Sequence, residues 1–380
     1  MTDEKISVPQ GLRDLEALYK AAGHELWLVG GSVRDHIRNM PGKDIDLATS
    51  ATPEEQVSLC ESAGYRWIPT GLQHGTLTVL IDGETYEITT FRTDLETDGR
   101  HAVVAYTRDL LTDLARRDLT INAIAMSLDG EMVDPFGGVT DIEDRIVRFV
   151  GEPAERIRED YLRIMRWFRF LGRFGRELDD DTADAIAVAE NAEGLRQISV
   201  ERIWAEMQRI LAGPRPAGIV DMMGRLGVLD VLDVPLGDPD RLADMRKDTD
   251  SPALLLAAWL GDQAVAVATR WKASTIERET TAFAALRMAT DYSEEMAKRD
   301  LVEGRDEKVV WGVLRLQRNT SALRALAIWD TPSFPLAGRD LVADGMTQGV
   351  AIGKRLARLR EEWMRSDYVL SRDELLSIPS

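Results

Sequence analysis

Two aspartates separated by a single residue, Asp44 and Asp46, are the residues whose type and spacing point first to chemistry. In a β-strand alternate side chains point to the same face, so both carboxylates would project together while Ile45 turns towards the core. Carboxylate oxygens are hard ligands that suit Mg²⁺, which binds one or two protein carboxylates together with substrate phosphates. The pair therefore predicts a Mg²⁺ site held by Asp44 and Asp46.

A glycine pair, Gly30-Gly31, precedes the aspartates at the end of an apolar run. We expect Ser32 to cap a helix that begins at Val33, and the free N–H groups at a helix start attract phosphate. Glycine lets the backbone approach a ligand closely, and Arg34 can add a charge-assisted hydrogen bond. Phosphates on one side and metal ions on the other suit nucleotidyl transfer by a two-metal route, in which a 3′-hydroxyl attacks and pyrophosphate leaves.

The elements that must position these residues alternate between helix and strand over the first part of the chain. Residues 9–22 have helical spacing, and Thr52 followed by Pro53 and Glu55 is a strong helix start. Asp82-Gly83 is a favoured hairpin turn between two β-rich runs. The polar segment 94–105 is expected to be a mobile loop. The β-rich runs lie at 25–29, 43–48, 76–81 and 85–91, and the unit is completed by 120–128 and 131–136.

Beyond about residue 150 the strand signals nearly vanish, and helical patterns rich in Ala, Leu, Arg and Glu continue along the chain. The predicted fold class is therefore α+β: an N-terminal head with a mixed or antiparallel sheet and helices, followed by an all-helical remainder.

Composition limits the classes of function. The 380 residues carry a formal net charge of −18, which argues against a generic nucleic-acid binder. The single cysteine, Cys60, excludes internal disulfides and a Cys-based zinc site. No apolar run approaches the roughly 20 residues of a membrane span, and the charged N-terminus lacks the apolar core of a signal peptide. We expect a cytoplasmic protein without a membrane partner.

A local basic strip nevertheless runs along 156–176 and contains Arg156, Arg158, Arg163, Arg166, Arg169, Arg173 and Arg176. Most charge runs are solvated faces, but here three arginines recur at every third residue. Such a strip can concentrate positive potential on an acidic protein.

Four segments together resemble the tRNA nucleotidyltransferases, the CCA-adding enzymes, in the class shared with bacterial poly(A) polymerases. They are GGSVRD (30–35), KDIDLAT (43–49), RRDLTINAIA (116–125) and EDYLRIMRWFRF (159–170). The resemblance implies a third catalytic carboxylate, Glu87 in YEITTFR, beside Asp44 and Asp46. It also implies that Arg117 contacts the triphosphate, and that DPFGG (134–138) is a structural turn.

The last of these segments is expected to select the base. Asp160 and Arg163, three residues apart on a predicted helix, would lie on one face and offer acceptors beside donors. The resemblance implies that they choose CTP and then ATP without a nucleic-acid template, and that Arg166 and Arg169 continue the stripe towards the phosphates. Glu201 and Arg202, in SVERIWAE, are expected to be structural.

By resemblance, residues 1–140 form the nucleotidyltransferase head, 141–212 a helical neck with the base-selecting motif, and 213–380 a helical body and tail that bind tRNA. The expected reaction is template-independent addition of CCA to the tRNA 3′ acceptor end. The expected cofactor is Mg²⁺, and the sequence does not fix the oligomeric state.

Several alternatives stay open. A poly(A) polymerase of the same class is one, although such enzymes tend to depart from the Gly30-Gly31 pair. A partial enzyme adding only CC or only A is another; CC-adding enzymes usually lack the flexible loop for which TDLETDGRH (93–101) is the candidate, with Asp98 and Arg100 as its working residues. A non-catalytic RNA-binding protein would be signalled by loss of a metal carboxylate, and a transferase acting on small molecules would not need the base-selecting segment. Full CCA addition is favoured.

Overall fold

The computed structural model describes residues 8–40, 45–97, 102–176, 180, 182–347 and 349–379. The chain forms two compact units: Met1–Pro239 with Arg270–Ala273, and Asp240–Thr269 with Ser274–Ser380. The first unit contains all of the sheet and the second is helical, so the predicted α+β class is confirmed.

The head alternates short helices and strands. Its elements in chain order are α1 (Gln10–Ala21), β1 (Leu26–Val29), α2 (Gly31–Ile37), β2 (Asp46–Thr49), α3 (Pro53–Ala63), β3 (Arg66–Gly71), β4 (Thr76–Ile81), β5 (Glu84–Thr90), β6 (Arg92–Thr97), β7 (Ala102–Tyr106), α4 (Leu110–Ala115), a 3₁₀ turn (Thr120–Asn122), β8 (Ala125–Met126), β9 (Met132–Val133) and α5 (Gly138–Glu143). Seven strands form one sheet in the order β3-β4-β5-β2-β1-β8-β9. Only β2 and β5 pair in parallel among these described strands, so the sheet is mixed.

The strand pair β2–β5 fixes the register that matters for the site. Asp46 lies opposite Glu87, and Leu47 lies opposite Ile88. Leu47 and Ile88 are buried in the hydrophobic core of the head, and Ile45 packs against that core. Because side chains alternate along a strand, Asp46 and Glu87 project from the opposite face, where both are exposed. Further along that face Ala48 lies in a second buried cluster with Phe91 and Leu114.

Local sequence signals explain two of the connections. Thr52 accepts a hydrogen bond from the Glu55 N–H while the Glu55 carboxylate accepts one from the Thr52 N–H, so the predicted capping box is confirmed. Asp82 and Gly83 have φ of 51° and 87°, the left-handed pair that a tight hairpin turn requires. The hairpin predicted between β4 and β5 is therefore confirmed.

The mobile loop predicted for 94–105 is wrong for residues 94–97 and 102–105, which lie in strands. The strands β6 and β7 pair antiparallel, from Arg92 opposite Tyr106 to Thr97 opposite Ala102. Threonine and valine favour strands, and here this preference outweighs the polar composition of the segment. Residues 98–101 lie outside the described residues, so the roles of Asp98 and Arg100 stay predictions.

Helices complete the first unit: α6 (Pro153–Glu159), α7 (Leu162–Phe174), α8 (Ala183–Asn191), α9 (Val200–Leu211), α10 (Pro216–Arg225) and α11 (Val228–Val231). The helix α7 buries one face, which includes Trp167 and Phe168. Its opposite side presents arginines. DPFGG ends as a turn in which the Asp134 carboxylate accepts hydrogen bonds from the Gly138 and Val139 N–H groups, as the sequence predicted.

The second unit consists of α12 (Pro239–Arg246), α13 (Pro252–Leu260), α14 (Ala264–Arg270), α15 (Thr275–Met288), α16 (Glu294–Val302), α17 (Glu307–Leu316), α18 (Thr320–Leu326), α19 (Gly338–Ala343), α20 (Val350–Arg365) and α21 (Arg372–Ser377). Its last part has its own core around Leu359 and Trp363. By length and composition alone the stretch Pro252–Arg270 could cross a membrane, but 61% of its most apolar window is buried inside the fold, as in a core helix.

Candidate active site

The carboxylates form the first part of the site. Asp46 at the start of β2 and Glu87 in β5 are register neighbours, and both side chains are exposed. Gly31 lies beside them, since a Cβ at this position would come within 3.9 Å of Asp46 Oδ2. Asp44 lies outside the described residues. Within those residues no three or more His, Cys, Asp or Glu side chains form a metal-sized group, so the Mg²⁺ site at Asp44 and Asp46 stays a prediction.

The glycine turn differs in detail from the expectation. Gly30 has φ 65° and ψ −123° and is the N-cap of α2, which begins at Gly31. The predicted cap at Ser32 is wrong, because its hydroxyl donates instead to the Val29 carbonyl at 2.9 Å. A Cβ at position 30 would lie 3.1 Å from Arg117 Nη1, so both the backbone conformation and the close approach favour glycine.

A cavity rich in arginine opens beside this turn. It encloses about 520 Å³, within the range of roughly 300–1,000 Å³ that small-molecule sites occupy. Seven arginines and three aspartates are among its lining residues, in a chain whose net charge is −18. The charged lining residues are Arg34, Arg92, Arg116, Arg117, Arg163, Arg166, Arg202, Asp46, Asp118 and Asp160. Such a lining suits an anionic ligand.

Arg117 is fixed at the cavity wall by two contacts. Its Nη2 donates to Asp113 Oδ2 at 3.0 Å and its Nη1 donates to the Asn122 carbonyl at 3.3 Å. Burial alone would raise the pKa of Asp113, but the neighbouring Arg117 and Arg116 outweigh burial and hold that pKa below its usual value. The buried Nε–H of Arg117 has no acceptor among the described residues. A buried donor without a partner is costly, so this group fits a site completed by a ligand oxygen.

A buried network joins the glycine turn to α7. Arg34 Nη1 donates to Asn122 Oδ1 at 2.7 Å, and Asn122 Nδ2 donates to Asp118 Oδ1 at 3.1 Å. Arg166 Nε donates to the other oxygen of Asp118 at 2.7 Å. Burial opposes ionisation of Asp118, yet Arg166 and the hydrogen bond from Asn122 lower its pKa below the ordinary value. The network therefore keeps a charged pair inside the fold at neutral pH.

Arg34 is more deeply buried than the sequence suggested. Its side chain is 7% exposed, pairs with Asp35 at 3.0 Å and stacks on the Phe174 ring at 4.5 Å. Burial lowers the pKa of its guanidinium. It lines the cavity, as expected of a phosphate-binding residue.

The helix predicted to carry both Asp160 and Arg163 is interrupted. Asp160 has extended backbone angles at the end of α6, and its Oδ1 accepts from the Leu162 N–H at 3.0 Å, where α7 begins. The expectation of one continuous helix face is therefore wrong, because this carboxylate caps the new helix instead. Both side chains nevertheless line the same cavity.

Both of these residues also have protein partners. Asp160 Oδ2 accepts from Arg202 Nη2 at 2.8 Å. Arg163 Nη1 contacts the Arg156 carbonyl at 3.0 Å and Glu159 Oε2 at 2.5 Å, and its Nη2 donates to the Arg116 carbonyl at 3.2 Å. The two side chains are therefore held in place at the cavity wall.

Arg166 lines the cavity but Arg169 does not. Arg169 lies 2.7 Å from Glu206 of α9 and stacks on the Phe170 ring at 4.2 Å. Burial lowers the pKa of Arg169 to about 10. Its contacts tie α7 to α9, which leaves Arg169 outside the set that the structure brings together.

Some cavity residues were not singled out from the sequence. Asp118 and Asn122 are in RRDLTINAIA, and their four-residue spacing was a usable signal for a shared contact. Arg92, Arg116 and Phe170 also line the cavity. Arg202 was expected to be structural, but it lines the cavity and pairs with Asp160.

Two family models match the chain. Residues 26–148 match the family described as Poly A polymerase head domain. Residues 177–234 match the family described as Probable RNA and SrmB-binding site of polymerase A. The first match covers the glycine turn, β2, β5 and the RRDLTINAIA segment.

Known proteins extend the likeness over nearly the whole chain. The CCA tRNA nucleotidyltransferase 1, mitochondrial, of Mus musculus is 38% identical over 387 residues, covering 97% of this chain and 89% of its own. The CCA-adding enzyme of Bacillus cytotoxicus is 48% identical over 197 residues, covering 51% of this chain and 48% of its own. The crystal structure of the Bacillus stearothermophilus CCA-adding enzyme in complex with CTP superposes with a TM-score of 0.74 at 28% identity, covering 94% of this chain and 93% of that one. This chain belongs to the CCA tRNA nucleotidyltransferase family.

Proposed function

We propose that this protein adds CCA to the 3′ end of tRNA from CTP and ATP without a nucleic-acid template, releasing pyrophosphate. The observation that carries the proposal is the arginine-lined cavity beside Asp46 and Glu87, in a chain 38% identical to a CCA tRNA nucleotidyltransferase over nearly its full length. A nucleoside triphosphate is an anion of the kind that an arginine-lined cavity binds.

The phosphate side of the proposed site is the glycine turn with Arg34 and Arg117. The bare backbone at Gly30 and Gly31 permits close approach, and the unsatisfied Arg117 Nε–H offers a donor. Arg166, charged and anchored to Asp118, adds positive potential at the same cavity. Ser32 and Arg169, which have protein contacts elsewhere, are left out of this role.

Asp44, Asp46 and Glu87 would hold the metal, and Mg²⁺ is the ion that hard carboxylate ligands beside phosphates favour. When bound, such ions lower the pKa of an attacking hydroxyl and neutralise charge on the leaving phosphates. The exposed pairing of Asp46 with Glu87 fits this donor set. Asp44 is assigned by its spacing from Asp46.

Asp160 and Arg163 would select the base. Cytosine and adenine both present an exocyclic amine beside a ring-nitrogen acceptor, and a carboxylate beside a guanidinium complements that pattern. Asp160 Oδ1 accepts from the Leu162 N–H and Oδ2 accepts from Arg202, and a carboxylate has about four acceptor positions. The Arg163 guanidinium has five N–H donors, of which the Nη groups bind Arg156, Glu159 and Arg116. Both side chains can thus contact a base without leaving their partners.

The decisive experiment incubates the protein with tRNA lacking its 3′ CCA and with CTP alone, ATP alone, or both. We expect two added nucleotides with CTP alone and three with both, resolved by product length on a gel. Glu87→Gln serves as the inactive control. Absence of labelling under all conditions would contradict an enzyme and favour an RNA-binding protein.

The same gel separates the related enzymes. Long products from ATP alone on an arbitrary RNA would indicate a poly(A) polymerase. This alternative is included because the head matches the family described as Poly A polymerase head domain. Products that stop after CC even when ATP is present would indicate a CC-adding enzyme. A parallel reaction with tRNA that already ends in CC completes the comparison, and a product from this tRNA only would indicate an A-adding enzyme.

Cytoplasmic location, the domain bounds near 140 and 212, and tRNA contact by residues 213–380 are parts of the same proposal. The mouse relative is named as mitochondrial, so its name does not support the cytoplasm for this chain. Imaging of a tagged full-length chain and footprinting on tRNA would test these points.

A further inference from the structure

Three arginines lie just beyond one end of the cavity and have no role in the proposed reaction. They are Arg38 at the end of α2, Arg145 after α5 and Arg173 near the end of α7, here called the outer arginine cluster. Arg145 and Arg173 are exposed and Arg38 is partly exposed. Among the described residues, none of the three forms an ion pair with a carboxylate, whereas Arg163 and Arg166 do.

Aromatic stacking holds two of the three arginines close to the cavity. The guanidinium groups of Arg38 and Arg173 lie 4.4 Å and 5.1 Å from the centroid of the Phe174 ring. Arg34, which lines the cavity, lies 4.5 Å from the same centroid. One ring therefore joins the inner and outer guanidinium groups.

The helix α7 supplies a continuous path. Arg163, Arg166 and Phe170 line the cavity, and Arg173 lies one turn further along the same helix face. Arg145 is attached to the end of this path, since its carbonyl accepts from the Arg176 N–H at 2.7 Å. The positive surface thus continues from the cavity to the exterior.

The charges in this cluster are close enough to oppose one another. Burial lowers the pKa of Arg38; Asp35 offsets this in part, and the neighbouring Arg173 and Arg145 lower it further. Crowding like charges is unfavourable without a counter-anion. Retaining them in a chain of net charge −18 suggests that an anion joins them when the protein works.

We infer that the outer arginine cluster binds backbone phosphates of the RNA substrate just upstream of its 3′ end. This inference rests on the proposed function. The 3′-hydroxyl must reach Asp46 and Glu87, so the nucleotides preceding it have to leave the cavity over one of its ends. A triphosphate is short enough to stay among the inner arginines, whereas an RNA strand continues onto the surface, where successive phosphates meet separate guanidinium groups.

The test compares the double variant Arg38→Gln/Arg173→Gln with wild type, using the full-length protein and tRNA lacking CCA. Each phosphate contact on a single strand contributes about 0.7 to the slope of log K against log salt, so the slope should fall by about 1.4. When salt is raised from about 50 to about 200 mM, the affinity for tRNA should fall in both proteins. The fold-loss of the wild type should be about seven times that of the variant. The KM for CTP should stay within about twofold, since the inner arginines are intact.

Two further variants serve as controls, and a third repeats the test at another arginine of the cluster. Arg38→Lys/Arg173→Lys retains the charges and should recover the wild-type slope. Arg66→Gln removes an exposed arginine from the edge strand β3 and should change nothing. Arg145→Gln, at an exposed loop, should lower the slope by about 0.7 and keeps the test available if the double variant does not fold.

The inference would be overturned if Arg38→Gln/Arg173→Gln and Arg145→Gln both had the wild-type tRNA affinity and the wild-type salt slope, with normal CCA addition. The proposed function would be unaffected by that result. A raised KM for CTP with unchanged tRNA affinity would also overturn it, because the cluster would then serve the triphosphate. Failure of the wild-type protein to add CCA would instead overturn the proposed function, a result read from the product gel and independent of the binding slopes.

Discussion

At the scale of single residues, the site depends on two carboxylates placed side by side by strand register. Glu87 projects to solvent beside Asp46, and Glu84 in the same strand is also exposed. Glu87→Gln keeps the shape and removes the charge, so we expect the rate of CTP incorporation to fall at least about 100-fold, because metal-ion stabilisation supplies several kcal/mol. Single-turnover incorporation would measure this loss, and tRNA affinity should not change.

The matched control for this carboxylate is Glu84→Gln. It makes the same chemical change three residues away on β5, where no site residue is its register partner. If Glu84→Gln and Glu87→Gln lowered the rate of CTP incorporation equally, the general negative charge of β5, and not a metal-binding carboxylate at Glu87, would support the reaction.

Base choice is also decided by single residues. Asp160→Asn keeps the volume but replaces one acceptor oxygen with a donor NH₂, so its edge no longer complements cytosine or adenine fully. We expect the ratio of kcat/KM for CTP over UTP to fall by about tenfold, since one good base contact is worth about 1–3 kcal/mol. Competing incorporation of the four NTPs measures the ratio. A loss shared equally by all four would show that Asp160 does not contact the base.

At the scale of elements, the features that could be predicted from the sequence are those that depend on residues close together in the chain. The capping box at Thr52 and the Asp82-Gly83 turn depend on neighbouring residues, and both were predicted correctly. The inward orientation of Ile45 was also predicted correctly, whereas the position of Asp44 lies outside the described residues. The break at Asp160 was missed because helical spacing alone does not show that its carboxylate would bond the Leu162 N–H. The position of Arg169 outside the cavity lining was also missed, because its partner, Glu206, lies in another helix. The predicted contact of Arg169 with nucleotide stays a prediction.

The link between the head and α7 gives a prediction at this scale. Asp118 is buried and paired with Arg166, and its pKa is depressed in the folded protein. Breaking a fully buried pair costs about 3–5 kcal/mol, but the Arg166 side chain is 36% exposed and water screens the charge left behind. Asp118→Asn should therefore lower the free energy of unfolding by about 1–3 kcal/mol at pH 7. Urea unfolding measures it, and Asp129→Asn, which breaks the exposed pair with Arg13, should cost less than about 1 kcal/mol.

The pH dependence of this effect has a definite sign. A depressed aspartate pKa contributes stability that is present above the unfolded pKa, about 3.9, and is lost as the pH falls below it. The gap in unfolding free energy between wild type and Asp118→Asn should therefore stay constant from pH 7 to about pH 5 and narrow below about pH 4. A gap that widened on acidification would contradict an ionised Asp118.

At the scale of the whole molecule, a chain of net charge −18 has to bind a polyanion through a local concentration of arginines. At about 150 mM salt the Debye length is about 8 Å, so an approaching RNA is influenced mainly by the nearest arginines. At about 10 mM salt it is about 30 Å, and the repulsion from the acidic remainder acts over a comparable range. Long-range attraction and repulsion therefore partly cancel at low salt.

This cancellation predicts unusual association kinetics. For a basic RNA-binding protein the association rate rises steeply as salt is removed. Here we expect the rate constant for tRNA to change by no more than about threefold between about 150 and about 10 mM salt, measured by stopped-flow fluorescence. The equilibrium constant should still depend on salt, because its slope counts the phosphates contacted after docking and not the field during approach. A rise of the association rate by a hundredfold would show that the acidic surface lies too far from the path of the RNA to oppose it.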